Sequence, residues 1–149
     1  MEARVFRFKP KYISGFVPQE MQKEEWDSFQ NLREDPIVDE YLIEGMLTQV
    51  LQIDGETKSI FGYMPIYEGG ANGWLFFSNT SSARELLYIT AYLKNQFAEL
   101  KTLFDWLRTP VRTDFPQGER WAKLLGFQKA DCEETMINGL MYTYWTRRL

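Results

Sequence analysis

The sequence predicts an α/β (α+β) fold in which helices flank a central, twisted mixed sheet. The main observation is the order of periodic segments, which is βααβββαβαββ along 149 residues. Strands interspersed with helices favour a sheet covered by helices. A second observation is the composition, with 44% hydrophobic and 26% charged residues, which is ordinary for a globular protein. A chain of this length buries roughly 70% of its unfolded surface, so we expect one domain over residues 1–149.

The first half of the chain predicts a strand, two helices and a hairpin. Residues 3–9 alternate in polarity and predict a strand, whereas residues 18–32 carry apolar side chains at helical spacing. A second short helix is predicted from Pro36 to about Gly45, because proline suits the first turn of a helix. The β-rich segments 47–53 and 58–67 flank Asp54-Gly55, a pair that favours a tight primed turn.

The second half predicts the remaining elements. A loop at 68–73 leads to an apolar strand at 74–78. The clearest helix is predicted at 82–101, with one apolar face that comprises Leu86, Leu87, Thr90, Leu93 and Phe97. A strand at 102–108 follows, and we expect it to run parallel to strand 74–78, since a single helix connects the two.

The C-terminal part predicts a short helix and two strands. The helix covers residues 119–125 and is ended by Gly126. Its apolar residues predict a buried face, with Lys123 exposed; that face comprises Trp121, Leu124, Leu125 and, at the strand entry, Phe127. Two strands are then predicted, at 127–136 and 140–148, around the hairpin signal Asn138-Gly139.

The composition excludes several classes of function. The chain has no histidine and one cysteine, Cys132, which excludes Ser-His and Cys-His nucleophile pairs, His-ligated metals and thiolate zinc sites. We therefore expect no metal. The net charge is −4 and no basic block is present, which argues against dedicated nucleic-acid binding. No apolar run approaches ~18 residues and no secretory leader is apparent, so we expect a cytoplasmic protein without a membrane span.

Three stretches in this order resemble the GNAT superfamily of N-acyltransferases, which use acetyl-coenzyme A. LQIDGETKSIFGYMPI resembles the second and third strands of that family, and WLFFSNTSSARELL resembles its fourth strand and cofactor helix. ERWAKLLGF resembles the later helix and its Gly-aromatic exit into the sixth strand. The resemblance covers essentially the whole chain in element order. It implies acetyl-coenzyme A or coenzyme A as the cofactor and a small-molecule or peptide amine as the acceptor.

The resemblance places the cofactor at the start of the 82–101 helix. Family members hold the coenzyme A pyrophosphate on unpaired backbone N–H groups there, where the helix dipole attracts an anion. Their motif is Gln or Arg, two residues, Gly, one residue, then Gly or Ala; alignment puts Ser78, Ser81 and Ala83 at those places. The candidate cofactor-binding residues are therefore Ser78, Asn79, Thr80, Ser81, Ser82, Ala83 and Arg84. The alternative is that Asn79 to Ser82 only cap a helix.

The resemblance also identifies candidate catalytic residues. The tyrosine that protonates the leaving thiolate in many family members is replaced here by Ala122, and a frequent asparagine is replaced by Phe115. The candidate base is Glu68, which leaves the third predicted strand, with Asp105 as another carboxylate; Tyr142 is the candidate replacement for the missing acid.

Two functions remain open on the sequence. The first is an acyltransferase with weakened cofactor and catalytic motifs. The second is a GNAT-shaped protein without transferase activity, which would act as a structural or interaction protein with a protein partner. This second interpretation has a specific parallel in the small GNAT-like proteins of short-tailed bacteriophages, some of them internal virion proteins, and it would imply a virion-associated location. A nucleotide-binding α/β domain of another kind would need a Gly-rich phosphate loop.

Overall fold

The computed structural model of the chain describes residues 1–40 and 48–149. These residues form two compact units. The first comprises Met1–Met64 and Leu75–Ile89, and the second comprises Pro65–Trp74 and Thr90–Leu149.

The first unit contains three antiparallel strands, β1 (Ala3–Arg7), β2 (Gln49–Ile53) and β3 (Glu56–Pro65). The turn between β2 and β3 confirms the hairpin prediction, because Asp54 and Gly55 have φ of 51° and 81°. Among the described residues, two short 3-10 helices (Pro10–Ile13 and Glu20–Gln22) and two α-helices, α1 (Lys23–Leu32) and α2 (Pro36–Glu40), precede β2. The rest of the predicted second helix, at 41–45, lies outside the described residues.

Aromatic side chains form the core of the first unit. Helix α1 places Trp26 and Phe29 on one face, three residues apart, and both are buried. The Phe76 ring lies 5.1 Å from Trp26 and 5.7 Å from Phe29, centroid to centroid. Phe8, which is fully buried, meets Phe29 edge-on at 6.3 Å. Such ring pairs add stability beyond the area that they bury.

Three elements contribute residues to both units: β3, through its last residue Pro65, β4 (Gly70–Phe77) and α3 (Ala83–Leu100). The second unit adds β5 (Trp106–Arg112), α4 (Pro116–Leu124), β6 (Gln128–Lys129), β7 (Thr135–Ile137) and β8 (Leu140–Arg148). The strand order in the sheet is β1-β2-β3-β4-β5-β8-β6, and β7 pairs with β8.

Within the second unit, β4 and β5 run parallel, as predicted. Gly70 pairs with Trp106 and Asn72 with Arg108. Strand β8 pairs antiparallel with β5, β6 and β7. Because one parallel pair stands among antiparallel ones, the sheet is mixed and mostly antiparallel.

The positions of β4 and β5 differ from the prediction. Strand β5 begins at Trp106 and not at 102, because the N–H groups of Leu103 and Phe104 still donate to the Leu100 carbonyl and prolong the end of α3. Strand β4 begins at Gly70, four residues early, where a Cβ would lie 2.4 Å from the Trp106 indole. Only glycine lets the β4 backbone come so close to the Trp106 ring. Part of the glycine-rich segment predicted as a loop is therefore strand.

Two predicted core residues are exposed. Leu87 on α3 and Leu124 on α4 expose 66% and 52% of their surface, and Trp121 is only half-buried. The buried stripe of α3 is rotated toward Ile89 and continues through Leu93, Phe97 and Leu100, while α4 buries Ala122. Leu125 and Phe127 are buried and Lys123 is exposed, as predicted. None of the described helices is long and apolar enough to cross a membrane.

Candidate functional site

The segment between β4 and α3 consists of an isolated bridge residue, Ser78, followed by a turn at 79–80. Ser78 is buried and forms a bridge with Pro18. Its N–H donates to the Lys58 carbonyl at 2.9 Å, and the next N–H, of Asn79, donates to the Val17 carbonyl at 2.9 Å. These two donors therefore already have acceptors within the chain.

The next three N–H groups also have internal acceptors. The Thr80 N–H donates to the Ser78 hydroxyl at 3.2 Å, and the Ser81 N–H donates to the Ser78 carbonyl at 3.1 Å. The Ser82 N–H donates to the Glu85 carboxylate at 2.9 Å. Five consecutive donors that could have faced a phosphate are thus satisfied by the protein itself.

Ser82 and Glu85 form a capping box at the start of α3. The Glu85 N–H donates to the Ser82 hydroxyl at 3.1 Å, which completes a reciprocal pair with the bond to the Ser82 N–H. A carboxylate therefore stands at the positive end of the helix, where it is stabilised by the dipole. The Ser-x-x-Glu spacing was visible in the sequence and could have identified Glu85, which sequence reasoning missed.

Two donors at this helix start remain available. Among the described residues, no acceptor contacts the N–H of Ala83 or of Arg84, because first-turn donors have no carbonyl four residues earlier within the helix. Both residues are exposed, and the Arg84 side chain adds a positive charge. Two N–H groups and a cation suit an anion, so the junction fits part of a pyrophosphate if the Glu85 carboxylate moves.

Lys58, on β3, places a buried positive charge beside the same junction. Its side chain is 7% exposed, and its Nζ lies 3.1 Å from the Thr80 hydroxyl and 3.2 and 3.6 Å from the carboxylates of Glu56 and Glu85. The hydroxyl of Thr80 donates to Glu56, and this bond together with Lys58 lowers the pKa of the Glu56 carboxyl. Nothing in the local sequence of β3 signals this role for Lys58, which depends on the tertiary fold.

The two candidate catalytic residues lie at opposite ends of β5. Glu68 is exposed, has φ of 52°, and its carbonyl accepts the indole N–H of Trp106, the first residue of β5, at 3.0 Å. Tyr142 is buried and pairs with Arg112, the last residue of β5. The six residue steps along β5 from Trp106 to Arg112 span about 20 Å. Glu68 and Tyr142 therefore lie beside well-separated positions along β5, and their roles as base and acid stay predictions.

The helix position that carries the usual acid is part of the core here. Ala122 is 4% exposed and has no ionisable group. The side chains around it pack, since the rings of Phe115 and Trp121 meet edge-on at 5.9 Å. Asp105 lies near Glu68, because its N–H donates to the carbonyl of Gly69.

Solved structures with the same fold are acetyltransferases. Aminoglycoside acetyltransferase AAC(6')-Ib, in complex with coenzyme A, is similar with a TM-score of 0.72 at 11% identity, over 99% of this chain and 95% of that one. A chimera of spermidine N-acetyltransferase SpeG from Vibrio cholerae and hSSAT gives 0.71 at 12% identity, over 99% and 96%. An acetyltransferase of the GNAT family from Streptococcus pneumoniae gives 0.63 at 11% identity, over 99% and 100%.

The sequence itself carries little of this likeness. No protein-family model matches it, and no curated protein matches it. The structural similarity nevertheless extends over nearly the whole of each chain, so the protein has the GNAT fold.

Proposed function

We propose that this protein is a GNAT-type N-acyltransferase that takes an acetyl group from acetyl-coenzyme A and transfers it to an amine. The observation that carries the proposal is the start of α3, where the N–H groups of Ala83 and Arg84 lack acceptors among the described residues. This is the position at which the GNAT resemblance places the cofactor pyrophosphate, and the fold supports it over the full chain.

Ala83 and Arg84 would hold the pyrophosphate through their N–H groups, and the Arg84 guanidinium would add a charge-assisted contact. The Glu85 carboxylate would first have to leave the Ser82 N–H, which would then become a third donor. Lys58 Nζ lies 3.6 Å from that carboxylate and is a ready alternative partner. When bound, acetyl-coenzyme A supplies the activated acyl thioester.

The acceptor is expected to be an amine, as for the neighbours named after spermidine and aminoglycosides. Of the candidate catalytic residues, we retain Tyr142 as the proton donor. It lies at the carboxyl end of β5, the end of parallel strands at which α/β folds bind ligands. Glu68 precedes β4 at the opposite end, so we assign no step to it. Because Ala122 leaves the usual position of the acid without an ionisable group, Tyr142→Phe would remove the remaining candidate acid, and we expect it to lower the rate by about 10²- to 10⁴-fold.

Calorimetric titration with acetyl-coenzyme A tests the binding step, and thiol release across polyamines, aminoglycosides and peptides tests transfer. The proposal would be supported if acetyl-coenzyme A binds, if Arg84→Ala weakens that binding, and if thiol release depends on the acceptor. Arg120→Ala is the control, since Arg120 is also an exposed arginine on a helix, in the middle of α4. Absence of binding to both the parent protein and a Glu85→Gln variant would reject it.

A second candidate is a GNAT-fold protein without transferase activity that acts as a structural or interaction protein, for example in a virion. The observation that favours it is the internal satisfaction of five consecutive N–H donors, from Ser78 to Ser82. A working phosphate cradle would leave such donors free. This candidate predicts that acetyl-coenzyme A gives no heat of binding even when the Glu85 carboxylate is removed.

A further inference from the structure

Arg108, in the middle of β5, is held rigidly on one face of the sheet in the second unit. It pairs with Asn72 on β4 and with Thr146 on β8. Its Nε donates to the side-chain oxygen of Asn72 at 2.8 Å. Its Cζ lies 4.4 Å from the Tyr144 ring centroid and 5.9 Å from that of Tyr67. One hydrogen bond and two rings therefore fix the plane of the guanidinium.

The terminal nitrogens of this guanidinium have no acceptor among the described residues. Other arginines of the same unit are used differently: Arg112 makes an ion pair with Asp114 at 2.9 Å, and Arg147 donates to the Leu125 carbonyl at 3.0 Å. Arg108 is half-buried and makes no ion pair within the described part of the chain. A partly desolvated cation that is held in place but not neutralised is costly without an anionic partner.

The geometry indicates which anion would fit. The Nε–H of Arg108 is occupied by Asn72, so the two terminal nitrogens remain as a planar fork, which matches the two oxygens of a carboxylate. A single cation suits a monoanion. Beside it, the Tyr67 ring is 61% exposed and lies 5.7 Å from the half-buried Trp106 ring. These rings offer an apolar surface to a flat body.

We propose that Arg108, Asn72, Tyr67, Trp106 and Tyr144 form a binding site for an aromatic carboxylate, with the carboxylate on the Arg108 fork and the ring against Tyr67 and Trp106. None of these five residues is among the proposed cofactor residues, and the proposal does not depend on acyl transfer.

The test is an NMR titration of the ¹⁵N-labelled arginine side chains with benzoate. We expect benzoate to shift the Arg108 Nε resonance saturably. Benzamide should bind at least about tenfold more weakly than benzoate, because it lacks the negative charge. Inorganic phosphate is a second probe, and binding of phosphate as tight as that of benzoate would overturn the assignment to a carboxylate. Equal shifts with benzoate and benzamide would overturn the role of the fork.

Three variants sharpen the test. Arg108→Lys keeps the charge and loses the fork, and we expect at least about tenfold weaker benzoate binding, followed through backbone amide shifts near Tyr67. Asn72→Ala leaves the guanidinium in place but removes the hydrogen bond that orients it, and we expect a several-fold loss of benzoate affinity. This variant serves as the test if the Arg108 variants fail to fold. Arg120→Gln, an exposed arginine on α4, is the control that should bind normally. Unchanged affinity in both Arg108→Lys and Asn72→Ala would refute the proposal.

Discussion

Glu85 is the residue whose substitution tests the proposed cofactor site most directly. Its carboxylate caps the Ser82 N–H at 2.9 Å and lies 3.6 Å from Lys58 Nζ. An incoming pyrophosphate on the adjacent N–H groups of Ala83 and Arg84 would meet this negative charge. Glu85→Gln removes the charge but keeps a side chain that can still accept the same hydrogen bond. We therefore expect the variant to bind acetyl-coenzyme A more tightly than the parent protein.

The size of the effect follows from the distances. Two unit charges about 4 Å apart repel by about 1 kcal/mol in water and about 4 kcal/mol at an effective dielectric constant near 20. The Glu85 side chain is 17% exposed and lies at the surface of the junction, so about 1–2 kcal/mol is appropriate. That corresponds to a gain of about five- to thirtyfold in affinity. Lys58 is buried but keeps its closer pairing with Glu56 at 3.2 Å, so the loss of the 3.6 Å pairing with Glu85 should lower the free energy of unfolding by only about 1 kcal/mol.

Isothermal titration calorimetry of the parent protein and the Glu85→Gln variant measures their affinities for acetyl-coenzyme A. Thermal unfolding of the same two proteins measures the change in stability. Glu99→Gln is the control, since it removes the same charge from the exposed surface near the end of α3. Its affinity for acetyl-coenzyme A should equal that of the parent. If Glu85→Gln binds no more tightly than the parent while the fold is intact, the pyrophosphate does not approach this carboxylate and the assignment of the cofactor site is wrong.

Three further expectations concern rate, core packing and pH. Thiol release from acetyl-coenzyme A should stay below about 1 s⁻¹ with any amine, and Tyr142→Phe should lower kcat further without unfolding the protein; unchanged kcat would remove Tyr142 from the chemistry. Phe29→Ala should cost about 3–5 kcal/mol in urea unfolding because it empties the aromatic core of the first unit, whereas a loss below 1 kcal/mol would contradict that packing. The pKa of Glu56 is lowered from 4.5, so its stabilising effect is full above that value and is lost as the pH falls through the lowered pKa. Glu56→Gln should accordingly be less stable than the parent at pH 7 and equally stable in stronger acid; a pH-independent difference would show that the charge is not responsible.

Much of the fold followed from local sequence. The turns at Asp54-Gly55 and Asn138-Gly139 were predictable because these residues tolerate positive φ, and all four adopt it. Strand β8 occupies the predicted residues 140–148, since its alternation is long and uninterrupted. The parallel pairing of β4 and β5 followed from the single helix between them, which is a rule of chain connection and needs no knowledge of contacts.

The sequence by itself thus determined the order and type of most elements, because periodicity and turn chemistry act over a few residues. The single strand predicted at 127–136 is instead two short strands, β6 and β7. Only the tertiary structure decided which side chains meet at the candidate site. Lys58 approaches Thr80 and Glu85 only after β3 and the start of α3 come together, and Glu68 and Tyr142 separate only once β5 is paired with β8. Sequence spacing cannot encode these distances. Charges and hydrogen bonds between residues far apart in the chain depend on where the backbone places them.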